Sequence, residues 1–148
     1  MGDPPLRFTV HVQCPAPGAF RTFTEEIGSW WPVRSQFTRD PVVRVLLEGR
    51  TGGRVAERSP SGEIADWGRV LTWEPPARVA FTWHPEGGEA TEVEVQFIPE
   101  GSGATRVELE HRGWERLGAE AVEQRDSCRQ GWPSALARYS GAALRQLV

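Results

Sequence analysis

The sequence predicts an α+β fold in which a curved, seven-stranded antiparallel sheet surrounds one long C-terminal helix, with two short helices after the first strand. Alternation of apolar and polar residues in one N-terminal and six central segments predicts the strands, and glycine or proline turns between the central segments predict hairpins. An apolar stripe at helical spacing from about residue 120 to 147 predicts the long helix. At 148 residues the chain is expected to form a single domain, 1–148.

The N-terminal part predicts one strand followed by two short helices. Residues 6–13 alternate as in a half-buried strand, which places His11 on the solvent side. Residues 17–27 carry apolar residues at helical spacing and predict a helix that stops at Gly28. Pro32 is expected to open the second short helix.

Six further strands are predicted between residues 42 and 111, because each apolar segment is bounded by glycine or proline turn signals. The predicted strands are 42–49, 53–59, 63–74, 78–84, 90–98 and 104–111.

Alternation also predicts which side chains of these strands point into the core. Charged side chains are expected to face solvent, so the residues next to them in sequence must point to the interior of the protein. In the strand 63–74, alternation places Arg69 on the same inward face as Trp67 and Leu71, unless a β-bulge interrupts the strand. The residues predicted to point inward are Trp67, Arg69, Leu71, Trp73, Val79, Phe81, Trp83, Val93, Val95, Phe97, Val107, Leu109 and His111.

The C-terminal segment predicts a long amphipathic helix with a complication at Pro133. Proline removes a backbone hydrogen bond, so the helix is expected to run from about residue 120, or else to start or kink near Gly131. One helix covers a seven-stranded sheet incompletely, which predicts a cavity between them. The residues of the apolar stripe are Cys128, Trp132, Leu136, Tyr139 and Ala143.

Seven tryptophans, at positions 30, 31, 67, 73, 83, 114 and 132, are more than a small core usually needs. Each indole is large and carries an N–H that requires a partner, so part of this set is expected to line the cavity. Because Trp30 and Trp31 are adjacent, one is expected to pack in the core and the other to face the pocket or a neighbouring loop.

Composition and motifs exclude several classes of function. The net charge is −3 and the 17 basic residues, all arginine, are scattered, so no nucleic-acid partner is expected. No apolar run reaches membrane-spanning length and no export signal begins the chain, which favours a cytoplasmic protein. The cysteines and histidines lack metal-ligand spacing, and no phosphate loop or nucleophile motif occurs, so neither a metal nor a cofactor is predicted.

Three segments resemble one protein family. Residues 68–83 resemble the family's glycine and strand, its Glu-Pro-Pro turn and its Phe-Thr-Trp strand. Residues 105–114 resemble its strand that ends in His-x-Gly-aromatic. Residues 131–144 resemble the Gly-Trp opening and the Leu-x-x-Tyr register of its last helix. Ser-Trp-Trp at 29–31 resembles its Trp-Trp pair. The family comprises stand-alone bacterial relatives of the C-terminal domain of the activator of the 90-kDa heat-shock protein ATPase, in the START-like, birch-allergen-like (SRPBCC) superfamily.

The resemblance implies a helix-grip fold with a hydrophobic cavity between sheet and helix. Superfamily members bind lipids, hormones and polyketides, and some catalyse cyclisation or dehydration, so the fold does not decide the function. The chaperone-activating role is not carried over, because it belongs to a eukaryotic protein with a further domain for which 148 residues leave no space.

We expect a ligand-binding protein that holds an apolar or aromatic small molecule in that cavity. The predicted ligand-binding residues are Trp30, Trp31, Trp67, Arg69, Trp73, Phe81, Trp83, Phe97, His111, Trp132 and Leu136.

Two alternatives stay open. The first is a polyketide cyclase or dehydratase with His111 as acid/base, since histidine titrates near neutral pH and Arg69 could bind an enolate or carboxylate. Alternation does not settle the direction of Glu57 or Asp66, either of which could instead pair with Arg69. The second is a protein-interaction module with a filled cavity. The sequence favours a non-enzyme without deciding it, and it leaves a homodimer open.

Overall fold

The sheet is antiparallel, with seven strands in the part of the chain that the computed structural model describes, residues 4–31, 44–58, 62, 64–83 and 89–145. Its spatial order is β1-β7-β6-β5-β4-β3-β2, so the central strands form successive hairpins and β1 adds beside β7. The strands are β1 Leu6–Val12, β2 Arg44–Leu47, β3 Arg54–Arg58, β4 Ile64–Glu74, β5 Arg78–Trp83, β6 Thr91–Pro99 and β7 Thr105–Arg112.

The first helix, α1, spans Ala16–Phe23 and is shorter than the sequence predicts. It ends because the backbone N–H and the hydroxyl of Thr24 both donate to the carbonyl of Phe20, after which Ile27–Ser29 form a separate 3-10 turn. The second short helix predicted at Pro32 lies outside the described residues.

The long helix, α2, runs without interruption over Ala121–Arg145 after a 3-10 segment, Trp114–Glu120. A start near Gly131 is therefore wrong, although Pro133 lies inside the helix. The single hydrogen bond that proline forfeits is tolerated because the helix is held by packing, with Trp132, Leu136 and Tyr139 buried against the sheet side. This arrangement is the predicted helix-grip architecture.

Alternation correctly assigns the inward face of β5, β6 and β7. In β6 and β7 the buried residues alternate with more exposed ones along almost the whole strand, and His111 is fully buried. In β1 the same rule holds, and His11 is exposed. These faces and the α2 stripe enclose one continuous core.

Two bulges in β4 overturn the parity argument for that strand. The pairing register with β3 shifts at Trp67, and the register with β5 shifts at Leu71. Each bulge inserts one unpaired residue and exchanges the faces of the residues beyond it. Arg69 and Leu71 therefore point outward, contrary to the prediction, whereas Trp67 is buried and Trp73 packs against the core.

Candidate functional site

Four tryptophans from four separate segments meet between the sheet and α2, and we call them the indole cluster: Trp31, Trp67, Trp83 and Trp132. The ring centroid of Trp31 lies 5.0 Å from that of Trp67, 5.7 Å from that of Trp83 and 5.8 Å from that of Trp132. Trp67 and Trp83 are also in contact, at 5.3 Å. Tilted and edge-to-face contacts at these distances are favourable for aromatic rings, so the four indoles stabilise one another.

Three tryptophans of the cluster are buried and one is partly exposed. Trp31, Trp67 and Trp132 are buried, whereas Trp83, at the end of β5, is only half-buried. The segment after Trp83 lies outside the described residues. Solvent therefore reaches the cluster at the end of β5, next to the sheet interior.

Trp30 and Trp31 are both buried, so the expectation that only one packs in the core is wrong. Trp30 donates its indole N–H to the carbonyl of Thr22 at 2.9 Å and contacts the rings of Phe23 and Tyr139. Its ring centroid is 5.6 Å from that of Trp31. Trp30 thus connects the indole cluster to a second aromatic group.

The second aromatic group lies between α1 and the sheet and contains two more of the predicted lining residues, Trp73 and Phe97. Phe20 contacts Trp73 at 5.0 Å and Phe97 at 5.2 Å between ring centroids. Sequence reasoning missed Phe20 as a lining residue, although its helical spacing placed it on the core face of α1. The remaining predicted residues, Phe81 and Leu136, are buried in the same core.

His111 is the centre of a chain of hydrogen bonds that crosses from α2 to the sheet. The indole N–H of Trp132 donates to Nδ1 of His111 at 3.1 Å, which leaves the imidazole proton on Nε2. Nε2 lies 2.7 Å from the hydroxyl of Thr91, and that hydroxyl donates to the carbonyl of Trp83 at 3.1 Å. Every donor in this chain has an acceptor, so the tautomer of His111 is fixed.

Burial lowers the pKa of His111 from 6.5 to about 3, so the imidazole is neutral at physiological pH. Trp114 packs on the other side of the ring, with centroids 4.2 Å apart, and donates its N–H to the backbone carbonyl of His111. With both ring nitrogens engaged, His111 has the surroundings of a structural residue.

Thr91 is a partner of His111 that sequence reasoning missed. The sequence pattern could have identified it, because alternation along β6 places Thr91 on the same inward face as Val93 and Val95. Val93 pairs with His111 on β7. A hydroxyl at this position can accept from the imidazole and donate to a carbonyl, which an aliphatic side chain cannot do.

Arg69 lies on the opposite face of the sheet from the indole cluster. Its guanidinium is 3.7 Å from the Oδ2 atom of Asp66, and 53% of the side chain is exposed. Asp66 also points outward, within 3.9 Å of Arg54. The structure brings the other predicted lining residues to the interior but does not bring Arg69 there.

Glu57 is the acidic side chain that the structure places inside. It is fully buried, and Val45, which pairs with it on β2, is a core residue. The Oε1 atom of Glu57 lies 3.4 Å from the indole N–H of Trp67, and the Oε2 atom has no hydrogen-bond partner. Sequence alternation could not orient Glu57, because three consecutive residues of β3 are buried.

The outer face of the sheet is polar where β5, β6 and β7 lie side by side. Glu94 accepts from Arg78 at 3.0 Å and from Arg112 at 2.7 Å, and these arginines hold the pKa of Glu94 below its usual range despite partial burial. A groove of about 210 Å³ on this face is lined mainly by charged and polar residues. That volume is smaller than a typical small-molecule site, and the lining is not apolar.

A family described as "Activator of Hsp90 ATPase homolog 1-like protein" matches residues 13–140. The chain belongs to this family. The match covers the motifs in 68–83 and 105–114 and most of 131–144, so the resemblance seen in the sequence is confirmed.

Solved structures similar to this family member agree with the fold. An anthrahydroquino-gamma-pyrone synthase, Txn09, complexed with SUM, is 34% identical, with a TM-score of 0.66 and coverage of 95% of this chain and 97% of that one. The self-sacrificing resistance protein CalC from Micromonospora echinospora is 26% identical, with a TM-score of 0.73 and coverage of 97% and 96%. Protein MLL2253 from Mesorhizobium loti, at 17% identity, a TM-score of 0.72 and coverage of 96% and 98%, shows the fold alone.

No curated protein matches this chain. Within the described residues of this family member, no helix has both the length and the apolar composition needed to span a membrane. Those residues also contain no group of three or more His, Cys, Asp or Glu side chains suited to a metal ion. The family and these similar structures support a ligand-binding kind of fold.

Proposed function

We propose that the protein holds an apolar or aromatic small molecule in the interior between the sheet and α2. The observation that carries the proposal is the indole cluster, in which side chains from β4, β5, α2 and the segment after α1 converge at a partly exposed end of β5. Indole faces offer large apolar contact areas to flat ligands, and sites of this kind are mostly apolar with few polar groups.

One similar structure supports the same class of ligand. Txn09 is an anthrahydroquino-gamma-pyrone synthase, a name that describes fused aromatic rings, and its structure contains SUM. The match covers 95% of this chain. A ligand with aromatic rings is the chemistry that the indole cluster would recognise.

The synthase relative keeps an enzyme of the cyclase kind as the second candidate, but its acid/base group is not expected to be His111. The imidazole is neutral, buried and hydrogen-bonded at both nitrogens, so it neither offers nor accepts a further proton without breaking the chain from Trp132 to Thr91. A protein-interaction module is less well supported, because the described outer face of β5 to β7 is ion-paired and offers no apolar docking area.

The test is native mass spectrometry of freshly purified protein, followed by tryptophan-quenching titrations with fatty acids, flavonoids and aromatic polyketides. Saturating quenching at micromolar ligand is expected for the wild type, because several indoles report on one interior. Trp83→Leu should abolish it. Trp114→Phe is the matched control and should leave the quenching intact, since Trp114 lies in a separate core cluster.

Either result is informative. Saturable quenching that depends on Trp83 supports a binding protein, and turnover of the bound compound would then identify an enzyme. Absence of bound mass and of quenching across all three ligand classes would refute the proposal and favour a filled aromatic core with a protein partner.

A further inference from the structure

Glu57 is a buried acid at the edge of the indole cluster that the hydrogen-bond chain of His111 does not use. Its side chain has 0% exposure, and it shares the inward face of β3 with Val55, two residues earlier. Through Oε1 it contacts Trp67, whose ring contacts both Trp31 and Trp83. The carboxyl group therefore lies beside the indoles that a ligand would meet.

One oxygen of this carboxyl group lacks a partner. Oε1 has a long contact with the Trp67 N–H, at 3.4 Å, while Oε2 is buried and accepts no hydrogen bond. A buried polar atom without a partner is costly, and a buried charge without one is more costly. A fold that retains such a group at an otherwise aromatic site points to a partner supplied from outside the chain.

The surroundings indicate the charge of that partner. Within the described residues no arginine forms an ion pair with Glu57, although arginines pair with most of the acidic groups of the outer face. His111 supplies no positive charge either, because burial lowers its pKa to about 3 and the imidazole is neutral. Oε2 of Glu57 therefore has neither a hydrogen-bond donor nor a neighbouring cation among the described residues, and indole faces attract cations through their ring quadrupoles.

We propose that Glu57 is the polar anchor of the ligand site and that the ligand is an aromatic or apolar molecule carrying a protonated amine, whose N–H donates to Oε2 of Glu57. The proposal rests on the proposed function and adds the charge and position of the ligand's polar end. A protonated amine supplies both the missing donor and the missing positive charge, whereas a neutral hydroxyl supplies only the donor.

The test uses three probes of similar shape: 1-naphthylmethylamine, 1-naphthalenemethanol and 1-methylnaphthalene. Isothermal titration at roughly neutral pH is carried out on the full chain and on Glu57→Gln, with Asp66→Asn as the matched control. Asp66 is an acid on the neighbouring strand that faces outward, so its loss removes the same charge without touching the interior. Thermal melts of each variant report whether it folds.

The wild type is expected to bind the amine at least about tenfold more tightly than the alcohol, and Glu57→Gln to remove that preference while keeping affinity for 1-methylnaphthalene. Asp66→Asn should bind all three probes as the wild type does. If Glu57→Gln does not fold, Glu57→Asp, which withdraws the carboxylate by one methylene, should weaken amine binding selectively.

Three outcomes would overturn the inference, and they differ in what they imply for the proposed function. Equal affinity for amine and alcohol, or an amine preference that persists in Glu57→Gln, refutes the anchor but leaves an apolar site intact. Tighter binding of 1-methylnaphthalene than of the amine refutes the cation and supports a purely apolar ligand. No binding of any probe, with no quenching by the wider ligand panel, refutes the proposed function together with this inference.

Discussion

Two polar side chains of the interior, His111 and Glu57, differ in how well their hydrogen-bonding atoms are satisfied. His111 has a partner for each ring nitrogen, from Trp132 on one side and Thr91 on the other. In Glu57, Oε1 has one long contact with the indole N–H of Trp67, and Oε2 accepts no hydrogen bond. A satisfied network stabilises and orients its members, whereas an unsatisfied group is retained at a cost. This contrast is why we assign structure to His111 and ligand contact to Glu57.

The neutrality of His111 predicts a pH-dependent stability. Its pKa is lowered from 6.5 to about 3 in the folded protein, so the unfolded chain takes up a proton as the pH falls below roughly 6.5 while the folded protein does not. The free energy of unfolding should therefore decrease by up to about 1.4 kcal/mol for each pH unit between roughly 6.5 and 3. Urea unfolding at several pH values measures this slope.

His111→Gln provides the control for that slope. The amide can still accept from Trp132 and donate to Thr91 but does not titrate, so the contribution of His111 should be missing from the variant. Carboxyl groups titrate alike in both proteins and cancel in the difference. Parallel pH profiles for wild type and variant would contradict the structural assignment of His111.

The inward direction of most interior residues could be predicted from the sequence, and the failures lie in β3 and β4. Alternation placed Phe81, Phe97 and His111 correctly because β5 to β7 pair without irregularities. It misplaced Arg69, because a bulge leaves no mark in the apolar pattern of one strand. The inward direction of Glu57 was equally beyond the sequence, since charge argues for solvent and only the packing around β3 shows otherwise.

At the scale of elements, β4 determines the shape of the site. It is the longest strand, at 11 residues, and its two bulges turn Trp67 and Trp73 to the interior while Arg69 and Leu71 face out. Bulges increase the local twist and bend a strand. The bulge at Trp67 lies where this indole contacts Trp31 and Trp83.

Gly68, beside the first bulge, is required by the close approach of β4 to β5. A Cβ atom there would collide with the backbone carbonyl of Thr82 on β5, and a backbone group cannot rotate away as a side chain can. Gly68→Ala should therefore reduce the free energy of unfolding by about 1–3 kcal/mol or more. Urea denaturation measures the loss.

Gly103 offers the matched control on the loop before β7. A Cβ atom at this glycine meets nothing within 4 Å, so Gly103→Ala should change stability by no more than about 0.5 kcal/mol. Equal effects of the two substitutions would show that the close approach of β4 to β5 is relaxed in solution.

Element types were predictable to a greater extent than element ends. Every predicted strand and the long helix are present, because each has a clear period and turn signals around it. The end of α1 was not predictable, since it depends on Thr24 bonding back to Phe20 and not on a glycine. The sequence predicts α2 from about residue 120 but leaves a start or kink near Gly131 open, because packing of Trp132 and Leu136 decides the course through Pro133 and local propensity does not.

In the molecule as a whole, the side chain of Tyr139 joins the two helices that pack on the sheet, α1 and α2. Tyr139 on α2 donates its hydroxyl to the carbonyl of Ala19 on α1 at 2.8 Å, and its ring contacts those of Phe23 and Trp30. Burial raises the pKa of Tyr139, so the phenol stays protonated and remains a donor. Both helices are thereby fixed above the aromatic interior.

Removing this one hydroxyl tests how far the interior depends on the two helices together. Tyr139→Phe keeps every ring contact but leaves the Ala19 carbonyl without that donor, so the free energy of unfolding should fall by about 1–3 kcal/mol. Leu144→Ala, at an exposed position of the same helix, should alter it by about 0.5 kcal/mol or less. Urea denaturation should show an unchanged slope for both variants, because the surface exposed on unfolding is the same. A Tyr139→Phe protein as stable as the wild type would mean that ring packing alone holds α2 on α1.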